Sequence, residues 1–62
     1  MYYGEKLLIF RAEHNLSQAK LAEILGVNIN MISRYERGEN EPSAKNKLAQ
    51  EMKMKEWSER NV

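Results

Sequence analysis

A chain of 62 residues with ten basic and nine acidic side chains, one histidine and no cysteine has no disulfide or thiolate metal site, so helix packing or self-association must hold a single domain that buries only about 60% of its unfolded surface. A formal charge of +1 gives no bulk attraction to nucleic acid, and any affinity for phosphate must come from a local arrangement. The longest apolar run, Leu7 to Phe10, is far too short to cross a membrane, no basic-then-apolar leader opens the chain, and the lack of cysteine fits a reducing cytoplasm.

Residues 3–14 have helical spacing. Leu7 and Phe10 lie one turn apart and face inward with Tyr3. Leu8 and Ile9 fall outside that face, and two arrangements are open: burial under the C-terminal segment, or an exposed patch for self-association. Asn15, which tolerates left-handed backbone, ends the helix. His14 stands at the helix end, where it would meet the last carbonyls. Ser17 is an N-cap for the next helix, although Lys20 occupies the position that a capping box fills with Glu or Gln. That helix runs from about Gln18 to Leu25, with Leu21, Ala22 and Leu25 on one face. Gly26 stops it, as glycine does where φ turns positive.

Asn28 caps a third helix that runs to about Arg37 and ends at Gly38. Asn30, Ser33, Arg34 and Arg37 are spaced i, i+3, i+4 and i+7 and form one stripe. Every member hydrogen-bonds, two are guanidinium forks, and none is acidic. Ile32 and Tyr35 lie on the opposite side, with Met31 at its edge. Such a helix can be held by a core on one side and pressed against an anion on the other. The DNA major groove admits one α-helix, and Arg and Asn pair bidentately with guanine and adenine edges.

Glu39-Asn40-Glu41-Pro42 is a loop, with Glu41 extended before the proline. Ser43 then caps a last helix whose inward stripe is Ala44, Leu48 and Met52, at i, i+4 and i+8. Residues 53–62 continue as a helical extension or tail, with Met54 and Trp57 off that stripe. The whole is one domain, 1–62, with its core in 3–52.

Catalytic and cofactor chemistry is not supported. With no cysteine and no aspartate, His14 has few metal partners. The serines have no His and acid at triad spacing. The three glycines are isolated, so there is no phosphate loop. The chain reads as a non-enzyme without cofactor, metal or small-molecule ligand.

Leu16-Ser17-Gln18, Leu21-Ala22, Leu25-Gly26-Val27, Ile32-Ser33-Arg34-Tyr35-Glu36-Arg37-Gly38 and Glu41-Pro42-Ser43, preceded by Gly4-Glu5, Leu7 and Phe10-Arg11, resemble the lambda-repressor-like (Cro/repressor, XRE-type) helix-turn-helix family. The resemblance covers about residues 4–44, two thirds of the chain. It implies an all-α, compact four- to five-helix fold with the helix-turn-helix as second and third helices. It implies an ion pair between Arg11 and Glu36, and a Gln18 that contacts the DNA backbone near a helix N-terminus. The chain departs from its relatives in two places. They often carry charged residues where Leu8 and Ile9 stand. They also usually finish the last helix with more Leu and Ile, turn through Gly and add a fifth helix.

The expected function is that of a sequence-specific regulator of transcription, a phage or prophage Cro-like repressor that lays its third helix in the major groove. Asn28, Ile29, Asn30, Ser33 and Arg34 would lie at base edges, Ile29 against a thymine methyl. Gln18, Lys20 and Arg37 would hold phosphates. A domain this small is expected to bind palindromic half-sites about one helical turn apart as a homodimer. Leu8, Ile9, Met54 and Trp57 would form the dimer contact. The alternative is a protein-interaction module on the same fold, such as an antitoxin-type partner of another protein.

Overall fold

A computed structural model describes residues 2–61, which form four α-helices: α1 Tyr3–His14, α2 Gln18–Leu25, α3 Ile29–Glu36 and α4 Ala44–Arg60. Local chemistry sets the ends of the first three. Asn15 adopts the left-handed conformation at φ 55°. Its N–H donates to the Ala12 carbonyl, and the Leu16 N–H donates to that of Arg11. The same pair of bonds closes α2 at Gly26, where the Gly26 and Val27 N–H groups donate to Glu23 and Ala22. These are Schellman ends, which satisfy carbonyls that a helix otherwise leaves without donors. Ser17, Asn28 and Ser43 cap the three following helices by accepting N–H bonds from Lys20, Asn30 and Asn46.

The core is built by Tyr3 and Leu7 of α1, Leu21, Ala22 and Leu25 of α2, Ile32 and Tyr35 of α3 and Met54 of α4, with Phe10, Ile24, Val27 and Met31 packed around it. α3 packs on both α1 and α2, and α2 packs on α4. Gly4 permits the close approach of α1 to α3, since a Cβ there would overlap the Tyr35 carbonyl. The Tyr3 and Tyr35 rings meet edge to face, 6.0 Å between centroids.

α4 continues unbroken to Arg60, so of the two readings of the segment after residue 52 the helical extension holds. What differs from expectation is the face that α4 turns inward. Its inward stripe is Gln50 and Met54, with Trp57 half-buried beside them. Leu48 and Met52, expected inside with Ala44, face solvent at 61% and 57% exposure. Met54, expected outside the core and in a dimer contact, is buried in its own protomer, so the core reaches past residue 52. The reason lies in what α4 meets. The buried Gln50 Oε1 accepts a 2.6 Å hydrogen bond from the Tyr3 hydroxyl, which satisfies an amide oxygen that would otherwise be stranded inside. Trp57 packs edge-on against Phe10 at 5.9 Å and against His14 at 5.2 Å. The His14 ring therefore joins an aromatic cluster rather than capping its helix, whose carbonyls of Arg11 and Ala12 are already taken by backbone donors.

Candidate nucleic-acid interface

The α2–α3 unit is joined by the three residues Gly26, Val27 and Asn28. Gly26 at φ 69° reverses the chain. The Asn28 Oδ1 then accepts from the Asn30 N–H at 2.7 Å, which fixes where α3 starts. The buried face of α3 is Ile32, Tyr35 and Glu36; Asn28, Ile29, Asn30, Arg34 and Arg37 are exposed and Ser33 is half-buried. The exposed face thus presents amide, guanidinium and hydroxyl groups and one apolar side chain, Ile29.

Behind that face lies a polar lock. The Glu36 carboxylate, buried on α3, accepts from Arg11 Nε at 2.7 Å and Nη2 at 2.8 Å, and from Gln18 Nε2 at 2.9 Å. Arg11 Nη1 also donates to the Leu16 carbonyl at 3.1 Å, and the Tyr2 hydroxyl donates to the Glu36 carbonyl at 2.7 Å. One carboxylate therefore ties the end of α1, the start of α2 and the last turn of α3. A fork-on-carboxylate pair constrains direction as well as distance, so the lock orients α3 relative to the rest of the domain. No buried side-chain N or O atom among the described residues lacks a partner.

The three cations of this segment have different surroundings. Arg37 caps α3 and gives its fork to Glu39, at 2.7 Å from Nε and 3.1 Å from Nη2; its Nη1 donates to the Ser33 hydroxyl. The fork holds the Glu39 carboxyl below the usual carboxylate range, with the nearby Arg34 charge adding a smaller pull. Lys20 pairs loosely with Glu23 at 3.5 Å. Arg34 is in no ion pair among the described residues. It is the cation of this face left free to meet an outside acceptor.

Of the residues expected to act on DNA, the structure brings Asn28, Ile29, Asn30 and Arg34 to one exposed surface. It turns the Gln18 amide inward to Glu36, and it engages Ser33 and Arg37 with each other. Sequence reasoning missed Glu39 and Tyr2. Glu39 lies beyond Gly38, so helical spacing does not place it beside Arg37. The reach of Tyr2 to Glu36 spans 34 positions and leaves no local signal.

A helix-turn-helix family model matches residues 7–46, from the middle of α1 to the start of α4. The chain belongs to that family, the XRE-type, lambda-repressor-like helix-turn-helix domains. It is by family a DNA-binding regulator, of a kind generally without enzymatic activity. No curated protein and no solved structure matched in the corresponding searches. No helix among the described residues is long and apolar enough to cross a membrane.

Proposed function

We propose that this protein is a sequence-specific transcriptional repressor of the phage or prophage Cro type, which binds palindromic double-stranded DNA as a homodimer. α3 enters the major groove. Asn28, Ile29, Asn30, Ser33 and Arg34 lie along base edges, with the Arg34 fork on a guanine and Ile29 on a thymine methyl. Lys20 and the α2 N-terminus at Gln18 hold the phosphate backbone, and Arg37 adds to them in the fraction of molecules where its fork leaves Glu39. The observation that carries this reading is the free, exposed Arg34 on a helix whose rear face is locked by Arg11 and Gln18 onto Glu36. A base reader must be unoccupied and carried on a helix held in a fixed direction, and Arg34 meets both conditions.

The test is selection of a preferred site from random duplexes at low salt, followed by titration of that site. The expected outcome is an inverted repeat with half-site centres about 34–36 Å apart along the helix axis. If no duplex is bound even at low salt, a docking module on the same fold replaces this reading.

A further inference from the structure

On α4, residues 45, 48, 52, 56 and 59 follow one another at three- and four-residue steps and so lie on a single stripe. All five are exposed. The core side of the helix is taken by Gln50 and Met54, which leaves this stripe facing away from the domain. Leu48 and Met52 at its centre exceed all other large apolar side chains of the described residues in exposure, at 61% and 57%, against 39% for Leu8 and 45% for Ile9.

The charges on the stripe have an order. Lys45 stands at its N-terminal end, and Glu56 and Glu59 stand at its C-terminal end. None of the three is in an ion pair among the described residues, whereas Lys6, Lys20 and Lys47 each hold a carboxylate. The order is also unfavourable for α4 alone. A cation in the first turn and an acid in the last oppose the helix dipole. A stripe that reads basic, apolar, apolar, acidic is complementary to itself in one orientation, antiparallel.

We propose that this face is a homodimer surface on which α4 of a second copy packs antiparallel. With the two-fold axis between Leu48 and Met52, Leu48 meets Met52 of the second copy and Lys45 comes beside its Glu56. Symmetry repeats both contacts. Each helix dipole then also runs against the other. Met54 is committed to its own core, so this contact takes the place of the one expected through Leu8, Ile9, Met54 and Trp57. A single helix pair is smaller than a standard interface, so the free dimer is weak and forms in the upper micromolar range. The proposal rests on the two-fold part of the function above and is independent of which bases are read.

Sedimentation equilibrium without DNA tests it, on protein shown by circular dichroism to be folded. The wild-type mass is expected to rise from 7.3 kDa toward twice that value at hundreds of micromolar. Leu48→Glu abolishes the rise. Lys45→Glu and Glu56→Lys each place like charges together twice and weaken association by about tenfold or more. An equimolar mixture of these two variants restores both pairs and returns association to near the wild-type level, which no loss of fold would do. A mixture that associates no better than its components overturns the proposal. So does a wild type that stays monomeric, whether or not it binds a half-site duplex. A wild type that dimerises but binds no duplex upholds it and overturns the DNA reading instead.

Discussion

At the scale of single residues, the position of a side chain decides which physical effect dominates. Gly4 and Gly26 illustrate this. At Gly4 an added Cβ would run into the Tyr35 carbonyl, and both groups are backbone held in packed helices. At Gly26 the nearest atom to such a Cβ is the Lys53 ammonium at 3.6 Å, so only the positive φ of 69° opposes it. Gly4→Ala is therefore expected to cost at least about 3 kcal/mol, since helix axes must separate. Gly26→Ala should cost about 1–2 kcal/mol, the left-handed backbone penalty. Urea unfolding of the two variants checks the ranking; equal losses would mean that α1 and α3 part easily.

The same scale governs the two arginines of α3. Arg34 is free, and Arg37 is held by Glu39. Arg34→Ala should remove discrimination at one or two base positions, at about 1–3 kcal/mol per bidentate contact. Glu39→Gln should have the opposite effect on all sequences alike. It releases the Arg37 fork for a phosphate, tightens binding and steepens the salt dependence by about one charge. Titrations of specific and random duplexes over a range of salt read both. A salt slope unchanged by Glu39→Gln would show that Arg37 stays off the backbone.

At the scale of elements, the polar lock on Glu36 determines how α1, α2 and α3 sit together. Its carboxylate accepts three side-chain hydrogen bonds while almost fully buried. Glu36→Ala leaves the Arg11 charge without its partner and is expected to cost about 3–5 kcal/mol, as for one-sided loss of a buried pair. The double variant Arg11→Met, Glu36→Met removes both charges and should recover a large part of that loss. Thermal unfolding of the single and double variants decides it. A double variant as unstable as the single one would mean that the fork geometry, and not the stranded charge, is what stabilises the contact.

For the whole molecule, the join between the N-terminal helix and α4 makes stability depend on alkaline pH. The Tyr3 phenol donates to Gln50 at 2.6 Å, and burial first, then the charges of Glu51 and Tyr35, push its pKa well above the ordinary phenol value. A folded-state pKa above the unfolded one means that this contribution is complete below about pH 10, the unfolded value. It is lost as pH rises from there toward the folded pKa. Melting temperatures measured from pH 8 to 11 should fall in the upper part of that range. Tyr3→Phe should be less stable at pH 8, by about 1–3 kcal/mol for the stranded amide oxygen, and should fall less steeply above pH 10. Parallel curves for the two proteins would place the alkaline loss elsewhere.

What the sequence determined by itself is what short-range chemistry determines. The ends of α1, α2 and α3 were legible because Asn15, Gly26, Ser17 and Asn28 act on backbone groups within a few positions of themselves. The donor stripe of α3 was legible because helical periodicity alone puts Asn30 and Arg34 opposite Ile32 and Tyr35. The inward face of α4 was not. Its apolar residues suit two stripes, 44/48/52 and 54/57, the second continued by the polar Gln50, and the choice depends on Tyr3 supplying a hydrogen bond to Gln50 and on Phe10 and His14 receiving Trp57. The inward turn of Gln18 and the capture of Arg37 by Glu39 likewise depend on partners across a turn or on another helix. Contacts of that kind carry no periodic signal, because their partners are brought together only when the helices pack.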